Sequence, residues 1–204
     1  DPMCGSGTLN VEASTIGINS IGIEKSPFCV LMSRVKYESL KVNNTILSAI
    51  ISNQNKSYTI LIKNKRLPEE FEFANIFDPE KTITLLAFFD AMGYARRCAK
   101  SIDVLFPKVI KRYVAQITSF TEARDKLNLK IAKAKFELGD ARSLPIDNDS
   151  IDGIITSPPY SFAIDYAEND RPQLEYLDYD IDSLKDGMVG LKGKARKEKL
   201  DNYF

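Results

Sequence analysis

In DPMCGSGTLNVEASTIGINSIGIEKSPFCV a glycine-rich loop stands directly ahead of a helical pattern, and a strand pattern and a second helix follow. Leu9, Val11, Ala13 and Ile16 are the apolar positions of a short helix that Gly17 ends. SIGIEK, residues 20–25, alternates apolar with polar or small side chains and closes on Glu24, the pattern of a short strand. Pro27 suits the first turn of a helix through CVLMSRVKYESLK. Loop, helix, strand, helix is the continuation of a doubly wound α/β sheet. Such a loop normally follows a buried strand, and none precedes it here. The expectation is a segment of a longer protein whose first strand is missing.

Residues 42–133 break this rhythm and are expected to form a mainly helical insertion between the core pieces 1–41 and 134–204. The polar stretch NNTILSAIISNQNKSYT leads into TILIKNK, which reads as extended. In FPKVIKRYVAQI the apolar residues Phe106, Val109, Ile110, Tyr113, Val114 and Ile117 recur at three and four, one face of an amphipathic helix with Pro107 near its start. FELGDA, residues 136–141, reads as a strand ending at Gly139 and Asp140. SIDGIITS, residues 150–157, reads as another, and no later strand is evident. The carboxyl side of the sheet is therefore also expected to be incomplete.

Composition narrows the chemistry. No histidine is present, which removes serine-histidine and cysteine-histidine catalysis and the commonest metal ligand. Cys4, Cys29 and Cys98 are odd in number and widely spaced, the pattern of reduced thiols and not of a disulfide framework or zinc site. No run of about 18 apolar residues is present to span a membrane, and the start lacks a secretory signal, so a cytoplasmic globular protein is expected. The net charge is zero, yet residues 95–135 hold eleven Lys or Arg against three acids, +8 set against −8 elsewhere. This basic stretch, with Lys108, Lys111 and Arg112 at its centre, reads either as a solvated helix surface or as a phosphate-contacting face.

The two glycines of DPMCGSGT let the backbone turn sharply and approach a ligand, Asp1 offers a carboxylate, and the following helix presents free N–H groups. On spacing alone the loop is a structural turn or a ligand loop; it is neither GxGxxG, since Asn10 replaces the third glycine, nor GxxxxGK[ST]. Glu24, at the end of the next strand, is placed to accept from ribose hydroxyls. Asp140 is placed to accept from an adenine amino group, with the Ala141 backbone against the ring. In Ser157-Pro158-Pro159-Tyr160 the prolines take the chain rigidly out of the sheet with carbonyl oxygens unclaimed. The serine hydroxyl and a proline carbonyl then accept from a substrate amino group, and Tyr160 stacks on a flat base.

In that order, DPMCGSGT, GIEKSP, GDARSLP and TSPPY resemble the cofactor loop, ribose acid, adenine-binding strand end and catalytic motif of S-adenosylmethionine-dependent amino-methyltransferases acting on nucleic acids. TSPPY resembles the cytosine-N4 DNA methyltransferases in particular. The resemblance implies a Rossmann-like sheet, and Asp1, Pro2, Cys4, Gly5, Gly7, Thr8, Glu24, Asp140 and Ala141 around S-adenosylmethionine. It implies Ser157, Pro158, Pro159 and Tyr160 at the target base, no metal, and DNA as partner. DPMCGSGT followed by VEAS also resembles the RNA guanine-N2 methyltransferases, including tRNA enzymes, whose motif usually reads DPPY or NPPY. Ser157 in place of the acid or amide, and Ser161 after the tyrosine, favour DNA cytosine over tRNA guanine. A fragment that only binds cofactor or nucleic acid is the third possibility.

Overall fold

The structure, a computed structural model, describes residues 1–68, 78–157 and 165–186. The chain runs α1 (Thr8–Thr15), β1 (Ser20–Glu24), α2 (Pro27–Ser39), α3 (Asn44–Lys63), α4 (Pro79–Cys98), α5 (Ile102–Leu127), β2 (Ala134–Leu138), α6 (Tyr166–Asn169), α7 (Arg171–Tyr176) and α8 (Ile181–Asp186). It is a mixed α/β arrangement in which β1 and β2 pair in parallel, Ser20 opposite Ala134 through Glu24 opposite Leu138. The opposite edge of β1 is also engaged. Asp1 N donates to Ile21 O, Ile23 N donates to Asp1 O, and Cys4 N donates to Ile23 O, each at 2.9 Å. That is the bonding of a parallel ladder, so β1 lies between the first residues of the chain and β2.

The sequence punctuates α1, β1 and α2 as expected. Gly17 takes φ +86°, and Ile18 N bonds Ala13 O while Gly17 N bonds Ser14 O, closing α1 in a Schellman motif. Ser26 caps α2 by accepting from Cys29 N, with Pro27 in the first turn. The helices α3, α4 and α5 carry most of the core. Asp78 caps α4, and almost every residue from Thr82 to Phe89 is buried, as in a helix surrounded by neighbours. Phe88, Phe89 and Phe106 are at most 2% exposed, and burying such a side chain stabilises by about 1.5–3 kcal/mol. Phe28, Leu31 and Val35 of α2 join the same core, and Tyr37 of the same helix packs its ring on Phe136 of β2, so α2 links the helical part to the sheet.

Four sequence expectations need correction. TILIKNK is not extended: Thr59 to Lys63 form the last turn of α3, whose cap is Asn43 accepting from Ile46 N. Leu47, Ile50 and Leu61 are buried on one helical face, and packing of that face overrides the β-branched run. Pro107 lies inside α5, because Ser101 starts that helix earlier than the proline implies. The expected face of α5 is as read, with Phe106, Val109 and Ile110 buried. The strand at FELGDA lies two residues earlier, Ala134–Leu138. SIDGIITS forms no strand: Ile151, Ile154 and Ile155 are 43%, 70% and 67% exposed, without a neighbouring strand to complete a ladder among the described residues. Strand preference is a fit to a pleated, half-buried surface, and that surface is absent here.

Candidate functional site

Three neighbouring carboxyl ends converge because the chain start, β1 and β2 lie side by side and parallel. Ligands of open α/β sheets bind outside these ends. The loop is shaped by two left-handed glycines, Gly5 at φ +51° and Gly7 at φ +70°. Gly7 lies against α2 so closely that a Cβ would stand 2.5 Å from Ser33 Cβ. A Cβ on Gly5 would meet nothing within 4 Å, so the loop surface there is open. Asp1 Oδ1 accepts from Met3 N at 3.2 Å, and Cys4 is buried beside β1. Burial, with the Glu24 charge adding to it, pushes the Cys4 thiol up to about 11, which makes it an unreactive thiol. Thr8 opens α1, whose first N–H groups have no partner within the helix.

Glu24 is the hinge of the arrangement. Its Oε2 accepts from Gly5 N at 2.8 Å, and its Oε1 accepts from Lys25 N and Ser26 N, each at 2.9 Å. A carboxylate offers about four acceptor positions, so one on Oε2 stays available to a ligand hydroxyl beside the loop. The open face of Gly5 and this acceptor stand together and fit a nucleoside-like group.

Asp140 follows β2 and is linked to the end of β1 by Lys25 Nζ at 2.7 Å. Its other contacts are internal to the turn: Oδ1 accepts from Arg142 N and Nε, and Oδ2 from Arg142 Nη2 at 2.6 Å. The Arg142 bonds, and then Lys25, hold this carboxyl well below the usual carboxylate range. All its acceptor positions are filled, so an incoming amino group must displace Arg142 or Lys25. Ala141 is half-buried in the same turn.

Asp1, Pro2, Cys4, Gly5, Gly7, Thr8, Glu24, Asp140 and Ala141 thus share one end of the sheet. Ser157 is exposed irregular chain. Pro158, Pro159 and Tyr160 lie outside the described residues, as does the lysine-rich GLKGKARKEK. Two positioning side chains escaped the sequence reading. Ser33 Oγ donates to Gly5 O at 3.0 Å, and Lys36 Nζ donates to Ser6 O at 3.0 Å. With Cys29 they recur at helical spacing along α2, the one sequence signal that one face of this helix carries the loop.

Of the basic residues, Lys108 and Lys111 are exposed on α5, whereas Arg112 is held by Asp90 Oδ2 at 2.7 Å. Among the described residues no helix is long and apolar enough to cross a membrane.

Residues 1–65 match the family described as RMKL-like, methyltransferase domain. The chain is also 42% identical over 59 residues to the Type II methyltransferase M.MjaVI of Methanocaldococcus jannaschii, a match spanning 28% of this chain and 30% of that protein. No solved structure matches. Both similarities are to methyltransferases, and each spans less than a third of the chain.

Proposed function

We propose that the chain is part of an enzyme that transfers a methyl group from S-adenosylmethionine to an exocyclic amino nitrogen of a base in DNA, cytosine N4 foremost. The observation that carries this reading is the contact of Gly5 with Glu24: a left-handed glycine with open space above it, bonded to an acid with an acceptor position to spare. In this reading residues 1–41 and 134–204 belong to a doubly wound, Rossmann-like core, 42–133 to a helical insertion, and the enzyme works in the cytoplasm.

When bound, the cofactor supplies a methyl group activated on a sulfonium. Asp1 to Thr8 hold its methionine part, Glu24 its ribose, and Asp140 with Ala141 its adenine. An exocyclic nitrogen is a weak nucleophile because its lone pair is delocalised into the ring. The Ser157 hydroxyl and a carbonyl of Pro158-Pro159 accept its hydrogens and favour a pyramidal nitrogen with a localised lone pair. Tyr160 holds the ring flat. The nitrogen releases its proton after it has become cationic and acidic, so no imidazole base is required. A target within duplex DNA must leave the stack to reach these groups.

Labelled methyl transfer tests the reading: incorporation into DNA supports it, incorporation into tRNA alone supports guanine-N2 chemistry on RNA, and incorporation into neither leaves a protein that only binds cofactor or nucleic acid. Tyr160→Ala and Pro158→Ala are expected to abolish transfer while cofactor affinity holds. An unchanged rate removes TSPPY from the reaction.

A further inference from the structure

Next to the face of α2 that holds the glycine loop, α2, α4, α5 and the α6–α7 segment enclose a cavity of about 360 Å³. Small-ligand pockets occupy roughly 300–1,000 Å³, so this one has room for a nucleoside. It is separate from the proposed cofactor site, since none of Asp1 to Thr8, Glu24, Asp140, Ala141 or Ser157 lines it. Phe28 and Met32 give it an apolar wall, and Tyr113 adds an aromatic ring.

Its polar groups are unequal. Asp90 is already bound to Arg112 and to the Tyr113 hydroxyl. Asp170 makes no side-chain capping bond to α7, and no ion pair of its carboxylate is found among the described residues. Burial pushes it up to about 6 against the weaker pull of Arg96 and Arg97. Gln173 is 4% exposed; its Nε2 donates to Phe89 O at 3.0 Å, while Oε1 has no partner. Leaving such an acceptor buried and unmatched is unfavourable, and a ligand donor relieves that cost. Arg96 and Arg97 also line the cavity and supply positive charge for a phosphate. The cavity adjoins the cofactor end through α2. Ser33 and Lys36 hold the loop from one face of this helix, Phe28 and Met32 line the cavity from the next, and the Cys29 thiol between them feels the charges of both Glu24 and Asp170.

We infer that this cavity is a recognition pocket for a base neighbouring the one to be methylated, with Phe28 and Tyr113 against its ring and Asp170 and Gln173 Oε1 accepting hydrogens from its amino edge. The inference rests on the nucleic-acid reading above. Two acceptors favour a base with an exocyclic amine, such as cytosine, over thymine, which presents a carbonyl at that edge.

Fluorescence anisotropy with labelled single-stranded oligo-dC and oligo-dT at one salt concentration tests it. Oligo-dC is expected to bind about tenfold more tightly than oligo-dT, and Asp170→Asn to abolish that preference. Gln173→Met, which removes the second acceptor, is expected to reduce it, with melting curves confirming both variants folded. Equal binding of the two strands by the unaltered protein, or an undiminished preference in Asp170→Asn, overturns the inference. If the preference is present but no methyl reaches nucleic acid, the catalytic reading fails and this pocket stands.

Discussion

The Gly5 N–H donates to Glu24 Oε2 at 2.8 Å, so the side chain at the end of β1 fixes the turn of the loop that precedes α1. One carboxylate therefore shapes the loop and, in the proposed function, holds the ribose. Glu24→Ala removes both roles, and Glu24→Gln keeps a neutral acceptor for Gly5. Bonds to a charged acceptor contribute about 1.5–3 kcal/mol, so cofactor affinity is expected to fall roughly ten- to hundredfold in Glu24→Ala and less in Glu24→Gln. Isothermal titration with S-adenosylmethionine measures both. Equal affinity in all three proteins removes Glu24 from the cofactor site.

The loop glycines are expected to separate stability from binding. Gly7→Ala puts a Cβ 2.5 Å from Ser33 Cβ at φ +70°, and should destabilise by about 2–4 kcal/mol. Gly5→Ala meets no protein atom, so it should cost about 1 kcal/mol for its left-handed φ and act mainly by filling the space beside Glu24. Urea unfolding and cofactor titration of each variant distinguish the two. A larger stability loss in Gly5→Ala contradicts this assignment.

What was legible in the sequence follows local chemistry. Gly17 and Pro27 act through their own backbone, and α1, β1 and α2 stand where the sequence put them, while the cap at Ser26 is seen only in the structure. TILIK and SIDGIITS misled for one shared reason: a run of β-branched residues becomes a strand only beside another strand. In one case a helix face was packed instead, and in the other no partner is present among the described residues. The order of site residues along the chain was readable, but the capture of Asp140 by Arg142 and Lys25 was not, because many lysines and arginines compete for each acid. The cavity walled by Phe28, Tyr113 and Gln173 joins residues far apart in sequence, and no local pattern marks it.

Two aspartates give opposite pH dependences. Asp140 is held low by Arg142 and Lys25, so its stabilisation is present above the unfolded value near about 3.9 and is lost as pH falls through its folded value. Asp170 is raised to about 6, chiefly by burial and against Arg96 and Arg97; its contribution is full at low pH and is lost as pH rises from about 4 through 6. Asp140→Asn should therefore lower the melting temperature at pH 7. Asp170→Asn should raise it at pH 7 relative to its effect at pH 4. Melting curves across this range check both signs, and a parallel response of the two variants would show that one assignment is wrong.

The basic stretch divides by partner. Lys108 and Lys111 are exposed on α5, while Arg112 ties α5 to α4 through Asp90. Reversing charge at Lys108 and Lys111 should weaken nucleic-acid binding and reduce the slope of log affinity against log salt by about 1–2, since each phosphate contact contributes roughly 0.7–0.9. Arg112→Glu should cost stability as well, because it faces Asp90 with a like charge in place of a guanidinium. Filter binding at several salt concentrations, set beside melting temperatures, separates these effects. An unaltered slope in the Lys108 and Lys111 double variant would make that face ordinary solvated surface and move the phosphate contacts to Arg96 and Arg97 at the cavity.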